Sequence, residues 1–178
     1  MLDVIPKEMI SRALYYIYTH FYRHTFRKPW DFCWRITIEE TLVKFLMTRF
    51  IIPFYKPGSQ PARIDILDNF FYAVIIAPVV ETIIFQSLII AVAQKFKKVF
   101  ASQILFSTAA FTSAHLIGGI ESAITAGLVG GFYLSFTYAH WSKQSHFLAF
   151  QITAGTHALG NAILLVLIAL FMFISGNV

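Results

Sequence analysis

The chain has 178 residues, of which 57% are hydrophobic, 17% aromatic and only 13% charged. A water-soluble domain carries about 25% charged residues, so this composition excludes an ordinary soluble domain and points to lipid. The net charge of +5 does not indicate nucleic acid, because Lys and Arg gather in the N-terminal third and in short loops, the placement that orients membrane helices against anionic headgroups.

The single cysteine, Cys33, excludes an internal disulfide. The first thirty residues are charged and aromatic, without a signal-peptide pattern, so the first membrane helix is expected to direct insertion. Residues 8–24 interleave Tyr15, Tyr16, Tyr18, Phe21 and Tyr22 with Arg12, His20 and Arg23, the pattern of a helix lying at headgroup level. Trp30 and Trp34 suit an aromatic belt. Residues 38–55 are apolar but interrupted by Glu39, Glu40, Lys44 and Arg49. Residues 66–94 form a strong span of the roughly 20 apolar residues a bilayer requires, with Pro78 as a source of a kink. Asp65 and Asp68 flank its start, where carboxylates cap free N–H groups.

Residues 99–117 and 120–140 are further spans, with Glu121 placed to cap the second. Within 120–140, Ala123, Gly127 and Gly131 recur at four-residue spacing, as do Ser122, Ala126 and Gly130. Such stripes let neighbouring helices approach the backbone, so they read as packing surfaces. Residues 146–174 are either one tilted span or a span broken near Gly155 or Gly160.

Charge decides whether 38–55 crosses. If it does, Lys7, Arg12, Arg23, Arg27, Lys28, Arg35, Lys95, Lys97, Lys98 and Lys143 fall on one side, with Lys56 and Arg63 opposite. The positive-inside rule favours that arrangement. The expected fold is an all-α polytopic transmembrane helix bundle of about five spans, its N-terminus cytoplasmic. An interfacial amphipathic segment occupies 1–37 and a membrane-embedded domain 38–178. The expected setting is the inner or plasma membrane of a bacterium or archaeon, with the lipid bilayer as partner and no nucleic acid.

A charge in mid-membrane costs about 2.5–3.5 kcal/mol on insertion scales, so it is a functional candidate by default. Glu81 is such a charge; His115 and His157 are also deep, and Asn161 lies one turn beyond His157 on the same helix face. Glu81 is 14 residues from Lys95, His115 is 17 from Lys98, and His157 is 14 from Lys143. At 1.5 Å per residue the three reach one depth of roughly 20–25 Å, so their helices can close around one polar pocket. His20, His24, His140 and His146 lie near predicted interfaces and read as structural.

The segment Ala77-Pro78-Val79-Val80-Glu81-Thr82-Ile83-Ile84-Phe85-Gln86 resembles the first motif of the CAAX protease and bacteriocin-processing family, also called the abortive infection family. Phe111-Thr112-Ser113-Ala114-His115 resembles its F-x-x-x-H motif, and His157-Ala158-Leu159-Gly160-Asn161 its H-x-x-x-N motif. The resemblance covers a motif core of about 66–165. It departs from the family pattern E-E-x-x-x-R: Thr82 stands for the second glutamate and Gln86 for the arginine. These positions are four apart on a helix, so the joint loss leaves a neutral pair and no orphaned charge.

The resemblance implies an intramembrane endopeptidase acting on a membrane-associated peptide or protein. Glu81 and His115 would activate a water, while His157 and Asn161 would stabilise the oxyanion. Thr82, Gln86 and Phe111 would support them, with neither metal nor cofactor. Two alternatives keep the same residues. Glu81, His115 and His157 are also a possible two-histidine, one-carboxylate zinc set. A non-catalytic relative, such as an immunity-type membrane protein, could instead bind a membrane peptide without cutting it.

Overall fold

The computed structural model describes residues 19–24, 26–50 and 70–174, which are helical with short connections and no strand. After a turn of helix at 19–22, five long helices follow. They are α1, Pro29–Phe50; α2, Tyr72–Lys95; α3, Phe100–Gly118; α4, over 120–141; and α5, His146–Ile174. Helices α2, α3 and α5 are long and apolar enough to cross a bilayer. Helix α1 has 22 residues, about 33 Å of rise, and α4 matches it in length, but both carry more polar side chains. The molecule is an all-α membrane helix bundle. Most of the interfacial segment expected at 8–24, and the proposed caps Asp65 and Asp68, lie outside the described residues.

Helix α5 is continuous through Gly155 and Gly160, which settles the alternatives left open for 146–174. A Cβ at Gly155 would lie 3.8 Å from Cys33 Sγ and from Trp30, and one at Gly160 would lie 3.8 Å from Thr37 Cγ2. These are ordinary contact distances, so α1 lies against this face of α5 with room for a methyl group at either glycine. Thr156 Oγ1 donates to Cys33 Sγ at 3.4 Å, and Thr37 Oγ1 to the Thr156 carbonyl at 3.4 Å. Contact positions rise together along the two helices, so α1 runs parallel to α5.

The short connections at 96–99, 119 and 142–145 fold α2 to α5 as successive antiparallel neighbours. Gly119 makes one of these turns at φ +94 and ψ 173, a conformation essentially reserved for glycine. Glu121 lies in the first turn beyond it, favourably placed for the helix dipole, but forms no side-chain cap. One end of the bundle therefore gathers Arg23, Arg27, Lys28 and Arg35 with Lys95, Lys97, Lys98 and Lys143. Side chains tie this end together. Gln94 Nε2 donates to Gln103 Oε1 at 3.2 Å and Ser142 Oγ at 2.8 Å, and the Lys143 ammonium sits 4.2 Å from the Phe100 ring centroid.

The hydrophobic core fills the same end. Phe32, Ile36, Ile90, Leu134, Tyr138 and Ile152 are almost fully buried, and Phe32 stacks against Phe136 and His140 with Trp141 edge-on. Further along the bundle, Leu42, Phe45, Ile75, Ile83, Leu164 and Leu167 are exposed, as suits side chains that face lipid.

Helix α2 is wound wider than an α-helix at Tyr72–Ile76 and Thr82–Leu88, with π-type turns on both sides of Pro78. Proline has no N–H and its ring crowds the carbonyl four residues back, and a widened turn is one way to absorb both effects. The stripe in α4 is also π-wound, over Ala123–Gly130, and acts as the packing surface its spacing predicts. A Cβ at Gly127 would lie 2.8 Å from Thr112 Cα and 3.1 Å from His115 Cβ, and one at Gly131 would lie 2.9 Å from the Phe111 ring.

Candidate active site

Three helices, α2, α3 and α5, deliver the sequence-predicted residues to one region. Glu81 closes the α-helical turn that follows Pro78, and its Oε2 lies 3.7 Å from His157 Nε2. That separation is an electrostatic contact, too long for a hydrogen bond. His157 is buried and its Nδ1 has no protein partner among the described residues, whereas Glu81 keeps a side-chain exposure of 28%. One group of the pair is thus dry and the other is reachable.

His115 ends the α-helical part of α3. Its Nδ1 lies 3.0 Å from the Phe111 carbonyl. A carbonyl only accepts, so this bond puts the imidazole proton on Nδ1 and leaves Nε2 with a free lone pair. Phe111 separates the two histidines: its ring centroid is 4.3 Å from that of His115 and 6.0 Å from that of His157. Gly131 and Gly127 of α4 leave room for Phe111 and His115 to take these places.

Asn161 donates through Nδ2 to the Ala73 carbonyl at 2.7 Å. The bond follows from the proline. In the widened turn the Ala77 N–H bonds to the Tyr72 carbonyl. The π-type donor for Ala73 would then be residue 78, a proline without an N–H. An orphaned carbonyl is expensive in a membrane, and Asn161 supplies its donor. The amide has a second N–H that this bond leaves available.

Thr82 and Gln86 are both fully buried, and their side-chain polar atoms have no protein hydrogen-bond partner among the described residues. They sit beside the site as a neutral pair, as expected from the loss of both charges at once.

Sequence reasoning missed two features. The first is Glu40 and Lys44 of α1, which read only as interruptions of a span. They form an ion pair at 2.5 Å, with Glu40 buried. The signal was their four-residue spacing. The second is a network at the basic end. Glu39 Oε1 lies 2.5 Å from His20 Nε2 and its Oε2 lies 3.2 Å from His24 Nε2. Tyr133 donates its hydroxyl to Glu39 at 2.9 Å, and Arg23 donates to Glu39 at 3.3 Å and to His24 Nε2 at 3.1 Å. Burial, the largest effect, holds the His24 imidazole below its ordinary pKa, and Glu39 opposes this. His20, His24 and Glu39 are the one set of three possible metal ligands that converges among the described residues. The Arg23 guanidinium already supplies their positive charge. Glu81, His115 and His157 do not converge in that way.

The membrane helices thus bring a carboxylate, two histidines and an asparagine into one region. The sequence matches the Rce1-like family, described as type II CAAX prenyl endopeptidase Rce1-like, over residues 64–163, more than half of the chain. The chain belongs to this family of membrane endopeptidases. Neither the curated proteins nor the solved structures contain a match to it.

Proposed function

We propose that the chain is an intramembrane endopeptidase of the glutamic type, hydrolysing a peptide bond in a membrane-associated peptide or protein. The observation that carries this reading is the approach of Glu81 to His157, with Phe111 packed between His157 and His115. Peptide hydrolysis needs an activated water and a stabilised oxyanion. Glu81, with the free Nε2 of His115, takes the proton from the water. His157 and the second N–H of Asn161 donate to the oxyanion. Phe111 fixes the histidines, and Thr82 and Gln86 fill the space behind Glu81 without adding charge.

The basic end faces the cytoplasm in this account, by the positive-inside rule. Helices α1 and α4 then cross with the three more apolar helices, and the far end of α5 lies outside. The parallel run of α1 and α5 supports that count, since it returns the chain to the opposite end before α2 begins.

A second reading, a peptide-binding relative that does not cut, draws on the neutral Thr82 and Gln86 pair. Cleavage separates the two. Reconstituted in liposomes with quenched-fluorescent membrane peptides, the wild type should cleave, and 1,10-phenanthroline should leave the rate unchanged. Loss of cleavage with the chelator and its return with zinc would overturn the glutamate mechanism.

A further inference from the structure

The Glu40–Lys44 pair has no part in the chemistry described so far, yet it lies where a membrane protein rarely places charge. Glu40 Oε1 holds the Lys44 ammonium at 2.5 Å, and Glu40 Oε2 is buried without a protein partner among the described residues. A buried ion pair is weak evidence for stability, because apolar residues of the same size often do as well. In a membrane, ionisable residues mark function by default.

The position of the pair is specific. A Cβ at Gly130 would lie 2.9 Å from Lys44 Nζ and 3.3 Å from Glu40 Oε1, so only the missing side chain of Gly130 leaves room for both. Gly127, one turn earlier, receives His115, and Gly131 receives Phe111. The same turns of α4 that seat the site residues therefore seat Lys44. On the other flank, Thr37 packs against Gly160. Because α1 and α5 run parallel, Glu40 and Lys44 fall beside and just beyond the His157–Asn161 turn. The Lys44 charge bears on both Glu81 and His157.

We propose that Lys44, tethered by Glu40 and seated against Gly130, is a positioning residue of the site: its ammonium supplies a positive charge beside the Glu81–His157 pair that favours the carboxylate form of Glu81. The inference rests on the proposed hydrolytic reading but concerns a separate property, the charge balance around Glu81. The ionisable groups around that carboxylate are His157 from α5 at 3.7 Å, and His115 from α3 and Lys44 from α1, with Glu40 holding Lys44. Lys44 is the one lysine or arginine among them, a cation that Glu40 holds in place. Its partner Glu40 limits the charge to what the membrane tolerates, and places it without a flexible search.

The test is the double variant Glu40→Met with Lys44→Met, which removes both charges together and leaves neither buried alone. It should fold with a thermal midpoint close to that of the wild type. Its kcat should fall at least tenfold, with the acid limb of the rate profile about one pH unit higher, the low end of what a nearby opposite charge does. Infrared difference spectra, with Glu81→Gln as the reference, should show the protonated-carboxyl band of Glu81 persisting to correspondingly higher pH.

A second variant guards against a failure to fold. Gly130→Ala keeps both charges and only displaces the flexible end of Lys44, so it should shift the same band in the same direction by less. An unchanged band in whichever variant folds would overturn the inference. The spectra do not depend on turnover. A wild type that fails to cleave while the band still moves would refute the proposed hydrolysis and leave the role of Lys44 standing.

Discussion

The close approach of α4 to α3 is open to a single-methyl test. In Gly127→Ala the new carbon would lie 2.8 Å from Thr112 Cα, 3.1 Å from His115 Cβ and 3.4 Å from the Thr112 carbonyl oxygen. Non-bonded carbons rest about 3.5–4.0 Å apart, so the helices must part by roughly 0.5–1 Å, and most of the obstruction is backbone that cannot swing away. Overpacking of this kind costs about 1–3 kcal/mol, offset by about 1 kcal/mol from replacing a helical glycine with alanine. The net loss of stability is therefore small, about 0–2 kcal/mol. The displacement carries His115 with it, and a misplacement of about 1 Å at a reacting group can cost on the order of 10²-fold in rate. Activity should thus fall far more than stability.

Cys33 is the only cysteine and is buried, so a thiol-reactive fluorogenic dye reports unfolding of the protein in detergent without any added label. Gly155→Ala is the control. Its nearest neighbours would lie at 3.8 Å, an ordinary contact, so it should raise the midpoint slightly and leave cleavage intact. A Gly127→Ala protein with wild-type rate and melting would refute the packing that places His115.

Three further outcomes follow from the same geometry. Asn161→Ala should destabilise by about 1–3 kcal/mol, the usual cost of a buried acceptor left alone, and this loss should shrink in a Pro78→Ala background, where an N–H at position 78 can return to Ala73; equal losses in both backgrounds would deny that the proline creates the orphan. Thr82→Val should melt at or above the wild-type temperature, because the Thr82 hydroxyl has no protein partner among the described residues, and a loss above about 1 kcal/mol would reveal a hydrogen bond there. Burial lowers the His24 pKa from 6.5, so the unfolded chain binds a proton there more readily than the folded one, and the stability His24 contributes is present above pH 6.5 and lost as pH falls below it. Tryptophan-fluorescence melts between pH 7.5 and 5.5 should accordingly decline less for His24→Gln than for the wild type, and identical declines would contradict this.

Much of the site was legible because polar residues are rare in a membrane span and depth can be counted from basic loops. Glu81, His115 and His157 were singled out in that way, and Glu81 and His157 approach to 3.7 Å. The glycine stripe was equally plain, since spacing alone shows a helix face. What spacing could not show was which helix meets which face. Nothing local reveals that Gly130 faces α1 and Gly127 faces α3. Glu40 and Lys44 escaped notice for the same reason: in sequence they lower the apolarity of a span, and only the packing of α1 between α4 and α5 turns them inward. The bond from Asn161 to Ala73 needed two steps, the widening of α2 and the missing N–H of Pro78, of which only the second is written in the chain. The network of His20, His24 and Glu39 joins residues up to 19 apart across a turn, beyond the reach of helical periodicity.

The claim that Glu81 is the catalytic base is tested most directly by comparing membrane peptides from cells expressing the wild type and Glu81→Gln at equal abundance. The substitution keeps the size of the side chain and removes its capacity to take a proton. The account predicts that truncated peptides present with the wild type disappear with Glu81→Gln and that their uncut precursors accumulate. The same truncated products at the same levels in both would contradict it.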